Sequence, residues 1–202
     1  MQTASPAQAL PTASNYSSVD LPESLLDTLM PRLSEKIAQA CMAEADLVPY
    51  RVRQALNDSF DQASTDRLVA KVLTMPHSLQ SYTRHILHAD PSGMFTVVAL
   101  RWDPQQGSPV HAHYTWCAYR VLHGALIESH FEWDRSANQA YLFNRVPREA
   151  KQSVCGHGGM DFIHRLSNES AQTAISIHVY GIDSARISTH VNRMVAMAHE
   201  IN

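Results

Sequence analysis

The spacing of apolar residues changes period near Leu79. Before it the period is helical. Leu25, Leu26 and Leu29 share one face, and Leu33, Ile37 and Cys41 extend it at four-residue steps, which predicts a helix over 21–45. Pro31 has no N–H to donate, so it must start a new helix or kink this one. A second helix is expected over 49–56. Ser64-Thr65-Asp66 can cap a third, which runs through 71–73 and ends near Pro76. Together these make a helical region, 21–78, that packs on the rest. Ahead of it, residues 1–20 are rich in Ala, Ser, Thr and Pro and carry few large apolar side chains. A stretch that can bury so little is expected to be a disordered tail.

After Leu79 the period falls to two. Segments 81–87 and 94–102 alternate β-branched and aromatic residues with polar ones, and Asp90-Pro91-Ser92-Gly93 reads as the turn between them. Further strand-like segments follow at 115–122, 125–132, 139–143, 152–154, 161–166 and 173–180. Many short strands separated by turns predict an all-β sandwich or barrel over 79–202. Ile187, Val191, Met194, Val195 and Ala198 then fit one helical stripe, so a closing helix is expected.

Composition narrows the function classes. A chain of 202 residues with 45% apolar and 17% charged residues is an ordinary soluble domain with one good core. A net charge of -3 gives no reason to expect nucleic acid as a partner. No apolar run approaches the roughly 20 residues that span a bilayer. The N-terminus lacks the charged region and apolar run of a secretory signal. Three cysteines, Cys41, Cys117 and Cys155, stand at unrelated spacings, so a disulfide framework is not expected and a reducing cytoplasm is.

The stretch 109–124 adds chemistry. It holds His111 and His113, and on a strand residues i and i+2 face the same way. Two imidazoles on one face can grip a metal ion, and neutral imidazole serves iron, zinc, copper and nickel alike. An isolated His-x-His also arises as a pair of core histidines. Here Gly107 and Pro109 precede it as turn residues, and an apolar run closed by Gly124 follows. Elsewhere, Ser176, His178 and Tyr180 alternate, so they share a strand face that forms either a hydrogen-bonded relay or a solvated polar edge. Arg84 is either a surface arginine or a fork for a carboxylate. Arg101, Arg120, Arg165 and His157 have no spacing argument as second anion sites, and Trp116 and Phe162 read as core.

Gly107, His111, His113 and Gly124 resemble the first cupin motif, a Gly leading to His-x-His, then Glu, then Gly; Cys117 stands where the Glu is expected. His164 and Asn168 resemble the His-(x)3-Asn of the second motif, with Asp161 in place of the Gly of its Pro-x-Gly lead-in. A Cys in place of the Glu is similar to the cysteine dioxygenase family of thiol dioxygenases. Tyr82-Thr83-Arg84 resembles that family's Tyr-x-Arg, and Ser176-Ile177-His178-Val179-Tyr180 its Ser-x-His-x-Tyr, in the family's order. The resemblance covers roughly 60–185. Two departures stand out. The interval from His113 to Cys117 is one residue shorter than in the animal enzymes and closer to bacterial thiol dioxygenases. Gly181-Ile182 replaces their Ser-Pro.

The resemblance implies a mainly β fold, a cupin jelly-roll β-barrel with N-terminal helices and a C-terminal helix. It implies Fe(2+) held by His111, His113 and His164, a substrate carboxylate held by Arg84 beside Tyr82, and catalytic roles for Ser176, His178, Tyr180 and Cys117, the last two as a thioether pair. The reaction implied is oxidation of a small thiol carboxylate by O2 to a sulfinic acid. Cysteine is the default substrate, with 3-mercaptopropionate and mercaptosuccinate as alternatives. A reading of another class is a non-catalytic cupin that binds a metal or small acid.

Overall fold

The computed structural model describes residues 26–197 and the short strand β1 (Tyr16–Ser18). The remainder of the expected disordered tail over 1–20 lies outside the described residues. α1 (Leu26–Cys41) runs through Pro31 rather than restarting there, and it buries Leu33 and Ile37 completely. α2 (Val48–Ser59) carries Pro49 in its first turn, where the missing N–H has no helical partner to lose. α3 (Gln62–Thr74) is capped earlier than Ser64-Thr65-Asp66 suggests. The cap is Asp61, whose carboxylate accepts from the Ser64 N–H at 2.7 Å. Among the described residues, no helix is long and apolar enough to cross a membrane.

Ten further strands follow: β2 (Thr83–Ala89), β3 (Thr96–Trp102), β4 (His111–His113), β5 (Cys117–His123), β6 (Ala125–Asp134), β7 (Gln139–Glu149), β8 (Ser153–Gly156), β9 (Gly159–Ser167), β10 (Ala174–Tyr180) and β11 (Asn192–Met194). They form a six-stranded sheet, β1-β2-β3-β10-β5-β8, and a five-stranded sheet, β11-β4-β9-β6-β7. Apart from the parallel β1–β2 contact, neighbouring strands run antiparallel. This is a mainly β, two-sheet architecture with N-terminal helices.

The six-stranded sheet is covered on both faces, which explains why β10 is buried at every position. Ile175, Ile177 and Val179 pack among helical residues such as Leu33, Val52 and Leu68. Tyr180 and its inward neighbours Val98, Leu100 and Tyr119 meet Leu126 and Leu166 of the opposite sheet. Strand alternation therefore aims Ser176, His178 and Tyr180 at the barrel interior, where they are 0%, 3% and 3% exposed, and not at solvent. Gly124 turns β5 into β6 with φ of 69°, and a Cβ there would lie 3.0 Å from the Ala174 backbone.

The expected closing helix is absent from the described residues. Part of its stripe is buried, with Ile187 at 3%, Val191 at 1% and Val195 at 9% exposed, whereas Met194 is exposed. A 3-10 turn, Ser184–Arg186, and the strand β11 achieve that burial instead. β11 pairs antiparallel with β4, supplying backbone partners to the strand that carries His111 and His113. Ala198 lies outside the described residues.

Candidate metal centre

β4 is only three residues long, and its centre, Ala112, points away from the two histidines. On its other side from β11 it pairs with β9, and His111 falls directly opposite His164. Three imidazoles therefore converge. One ring nitrogen from each lies within 4.8 Å of the others, and all three residues are buried. His113 Nε2 and His164 Nε2 are 3.0 Å apart. The outer nitrogens are tied back: His111 Nδ1 lies 2.9 Å from the Pro109 carbonyl and His164 Nδ1 lies 2.8 Å from Glu128 Oε1. A donated Nδ1–H leaves Nε2 with a free lone pair. Burial pushes His111 and His113 well below the usual histidine range, and the neighbouring histidines add to this, so both are neutral at ordinary pH. A buried, convergent donor set of this kind fits a metal ion.

Arg84 reaches the same space from β2. It is 5% exposed, and its Nη2 donates to Tyr82 Oη at 2.6 Å. Tyr82 stacks on Trp102 with ring centroids 4.5 Å apart. Trp102 Nε1 donates to Ser176 Oγ at 2.9 Å, and Ser176 Oγ lies 2.8 Å from His178 Nε2. The indole can only donate, so the Ser176 hydroxyl accepts from it and gives its own proton to His178 Nε2. That assigns the His178 proton to Nδ1, which faces Tyr180 Oη at 3.3 Å. The phenol accepts there and keeps its own proton to donate elsewhere. Burial, and then the charge of Arg84, hold His178 well below its usual range, consistent with this neutral tautomer.

His111, His113, His164, Arg84, Tyr82, His178 and Tyr180 thus line one small, tightly packed pocket. Ser176 stands behind His178. Cys117 is opposite Tyr180 on β5, 5% exposed, and burial holds its thiol well above its usual range. The side chains without a spacing argument go elsewhere. Arg101 bonds Asp103, Arg120 bonds Asn57, and His157 lies against the Tyr50 ring. Phe162 packs between His130 and His164, and Trp116 lies on Gly181.

Sequence reasoning does not find Trp102, Ser108 or Glu128. Trp102 and Ser108 are cavity wall. Glu128, on β6, is 0% exposed. Burial alone would raise its pKa, but the nearby His130, the hydrogen bond from His164 and the charge of Arg148 outweigh that and hold it well below the usual carboxylate range. Its only sequence signal is an acid at an inward position of a strand.

A family model described as cysteine dioxygenase type I matches residues 22–192. Cysteine dioxygenase type 1 of Rattus norvegicus is 29% identical over 103 residues, which is 49% of this chain and 50% of that protein. The Homo sapiens protein of the same name shows the same 29% over 103 residues, with the same coverage. The chain thus spans about half the length of the curated relatives it matches. Among solved structures, the TT1209 protein from Thermus thermophilus overlaps 55% of this chain and 92% of its own, with a TM-score of 0.44 and 15% identity.

Proposed function

Because the chain belongs to the cysteine dioxygenase type I family, we propose that it is an iron-dependent thiol dioxygenase. It would convert the thiol of a small thiol carboxylate to a sulfinic acid, both atoms of O2 ending on sulfur. The observation that carries this reading is one small cavity in which three buried imidazoles meet one permanent cation. His111, His113 and His164 would hold Fe(2+), which when bound deprotonates a thiol and supplies the one-electron chemistry that thiols and O2 lack on their own. A third histidine in place of the common carboxylate suits a substrate that brings its own negative charge as thiolate.

The chain's own residues bind and orient. Arg84 forks onto the carboxylate, and the Tyr82 hydroxyl holds the guanidinium in place. His178, fixed by Ser176 and Trp102, anchors the Tyr180 oxygen, so the phenol proton can be given to an anionic oxygen in the cavity. Leu100, Leu166 and Trp102 wall off water. Among the described residues, Arg84 is the one arginine or lysine lining the cavity. That favours a monocarboxylate, cysteine or 3-mercaptopropionate, over mercaptosuccinate, whose second carboxylate would find no permanent cation there. Cys41, Cys117 and Cys155 are all free thiols, which supports a reducing, cytoplasmic setting.

Oxygen uptake by the iron-loaded protein with a panel of thiols tests the proposal. One O2 consumed per sulfinate formed, lost in the His111→Ala, His113→Ala and His164→Ala variants along with bound iron, is the expected result. Iron bound without any thiol-dependent oxygen uptake would support the binding cupin instead.

A further inference from the structure

The three imidazoles are not held alike. His111 Nδ1 rests on a neutral carbonyl, that of Pro109, at 2.9 Å. His164 Nδ1 meets a buried carboxylate, Glu128 Oε1, at 2.8 Å. The other oxygen, Oε2, is gripped by Arg148 through Nε at 2.7 Å and Nη2 at 2.6 Å, with His130 Nε2 at 3.2 Å. The topology makes this arrangement. β6 lies between β9 and β7, so Glu128 sits one strand from His164 and one strand from Arg148. Glu128 is completely buried, while the side chains of Arg148 and His130 keep 20% and 25% exposure at the rim.

We propose that Glu128 is a positioning residue that makes His164 the strongest of the three donors, and that Arg148 limits how much of its charge reaches the imidazole. A carboxylate that accepts from Nδ1–H fixes the tautomer and raises the basicity of Nε2. The three-histidine face is then not neutral as a whole. Cys117 replaces the carboxylate of the first cupin motif, and Glu128 returns a negative charge one residue further from the metal position, through His164. The two oxygens divide the work, Oε1 on His164 and Oε2 on Arg148, so the two neighbours compete for one charge.

The inference rests on reading His111, His113 and His164 as the metal centre, and its test reads metal binding rather than turnover. The apo protein is titrated with Fe(2+) against a competing chelator, and the Fe(3+)/Fe(2+) potential of the loaded protein is measured. Glu128→Gln keeps the size but loses the charge. It should weaken iron affinity about 10–100-fold and raise the potential, because Fe(3+) loses the greater stabilisation. Glu128→Asp should recover part of both. Arg148→Gln, at the rim, frees the Glu128 charge and should lower the potential. A purely structural role would not produce opposite shifts from the two variants. If Glu128→Gln does not fold, the sign of the Arg148→Gln shift decides alone. Unchanged affinity and potential in these variants, or shifts of the same sign, would overturn the inference while leaving the metal centre standing. A wild-type protein that binds no iron would instead bring down the metal centre, and this inference with it.

Discussion

Cys117 and Tyr180 are directly opposed residues on the neighbouring antiparallel strands β5 and β10. Opposed pairs carry Cβ atoms roughly 4.5–5.5 Å apart, and both residues belong to the buried layer between the sheets. That register is compatible with a thioether between Cys117 Sγ and the ring carbon next to the Tyr180 hydroxyl. Its formation would remove one hydrogen from sulfur and one from the ring, the two electrons and two protons passing to O2, which is reduced to hydrogen peroxide. After prolonged turnover, intact mass should show chains lighter by two hydrogens, and a digest should give one branched peptide holding both residues. Only unmodified peptides after such turnover would show that Tyr180 works without the crosslink.

Truncating Arg84 separates anchoring from folding. Losing one partner of a shielded, charge-assisted pair costs roughly 2–5 kcal/mol, or about 30-fold to several thousand-fold in affinity. Arg84→Ala should therefore raise KM for cysteine or 3-mercaptopropionate by at least the lower figure and leave the unfolding midpoint much less affected. Cysteamine, which has no carboxylate, should lose far less. Equal losses for both kinds of thiol would make Arg84 structural.

The two departures from the animal pattern meet at one place. The shortened link after His113 puts Trp116 on Gly181, the residue that follows Tyr180. Thr115 Oγ donates to the Gly181 carbonyl at 2.6 Å and Gly181 N to the Trp116 carbonyl at 3.1 Å. A Cβ on residue 181 would come within 2.3 Å of the indole. Gly181→Ala should cost about 1–3 kcal/mol by overpacking, read from chemical unfolding. Combined with Trp116→Ala it should cost less than the sum of the two single changes, since the clash is then relieved. Additive effects would mean that the contact does not exist in solution.

What the sequence makes legible here is whatever local spacing encodes. His111 and His113 are readable because a strand repeats every two residues, and Asp90-Pro91-Ser92-Gly93 because a turn needs a residue like Gly93, with φ of 75°. Glu128 is not readable, because its partners Arg148 and His164 lie 20 and 36 positions away and only strand pairing brings them in. Trp102 reaches Ser176 across 74 positions for the same reason. The stripe through Ile187, Val191, Met194 and Val195 reports burial at all of these but Met194, and misses the conformation. A turn followed by a strand satisfies the same spacing, and the unpaired edge of β4 decides in favour of the strand.

His85 predicts how stability responds to acid. It sits on β2, 0% exposed, facing away from Arg84. Burial, followed by the positive charges of Arg101 and His77, lowers its pKa from 6.5 to about 4. The sign follows from which state binds the proton. In the unfolded chain the imidazole titrates near its ordinary value of about 6.5, whereas the folded protein refuses the proton until about pH 4. Between those values the unfolded state holds more protons, so its population gains as pH falls. The contribution of His85 is fully present above pH 6.5, declines as pH drops through the window, and is gone below about 4. His85→Gln removes the titration and keeps a polar side chain. Urea unfolding of the iron-free protein, at several pH values across this window, should give a shallower loss of stability for His85→Gln than for the wild type. The two curves should run parallel above pH 6.5, whatever constant offset the substitution introduces. The remaining slope belongs to the other groups that bind protons more readily unfolded, among them His88, His111, His113, His178 and Glu128. Equal slopes in the two proteins throughout the window would show that His85 takes up its proton as readily folded as unfolded.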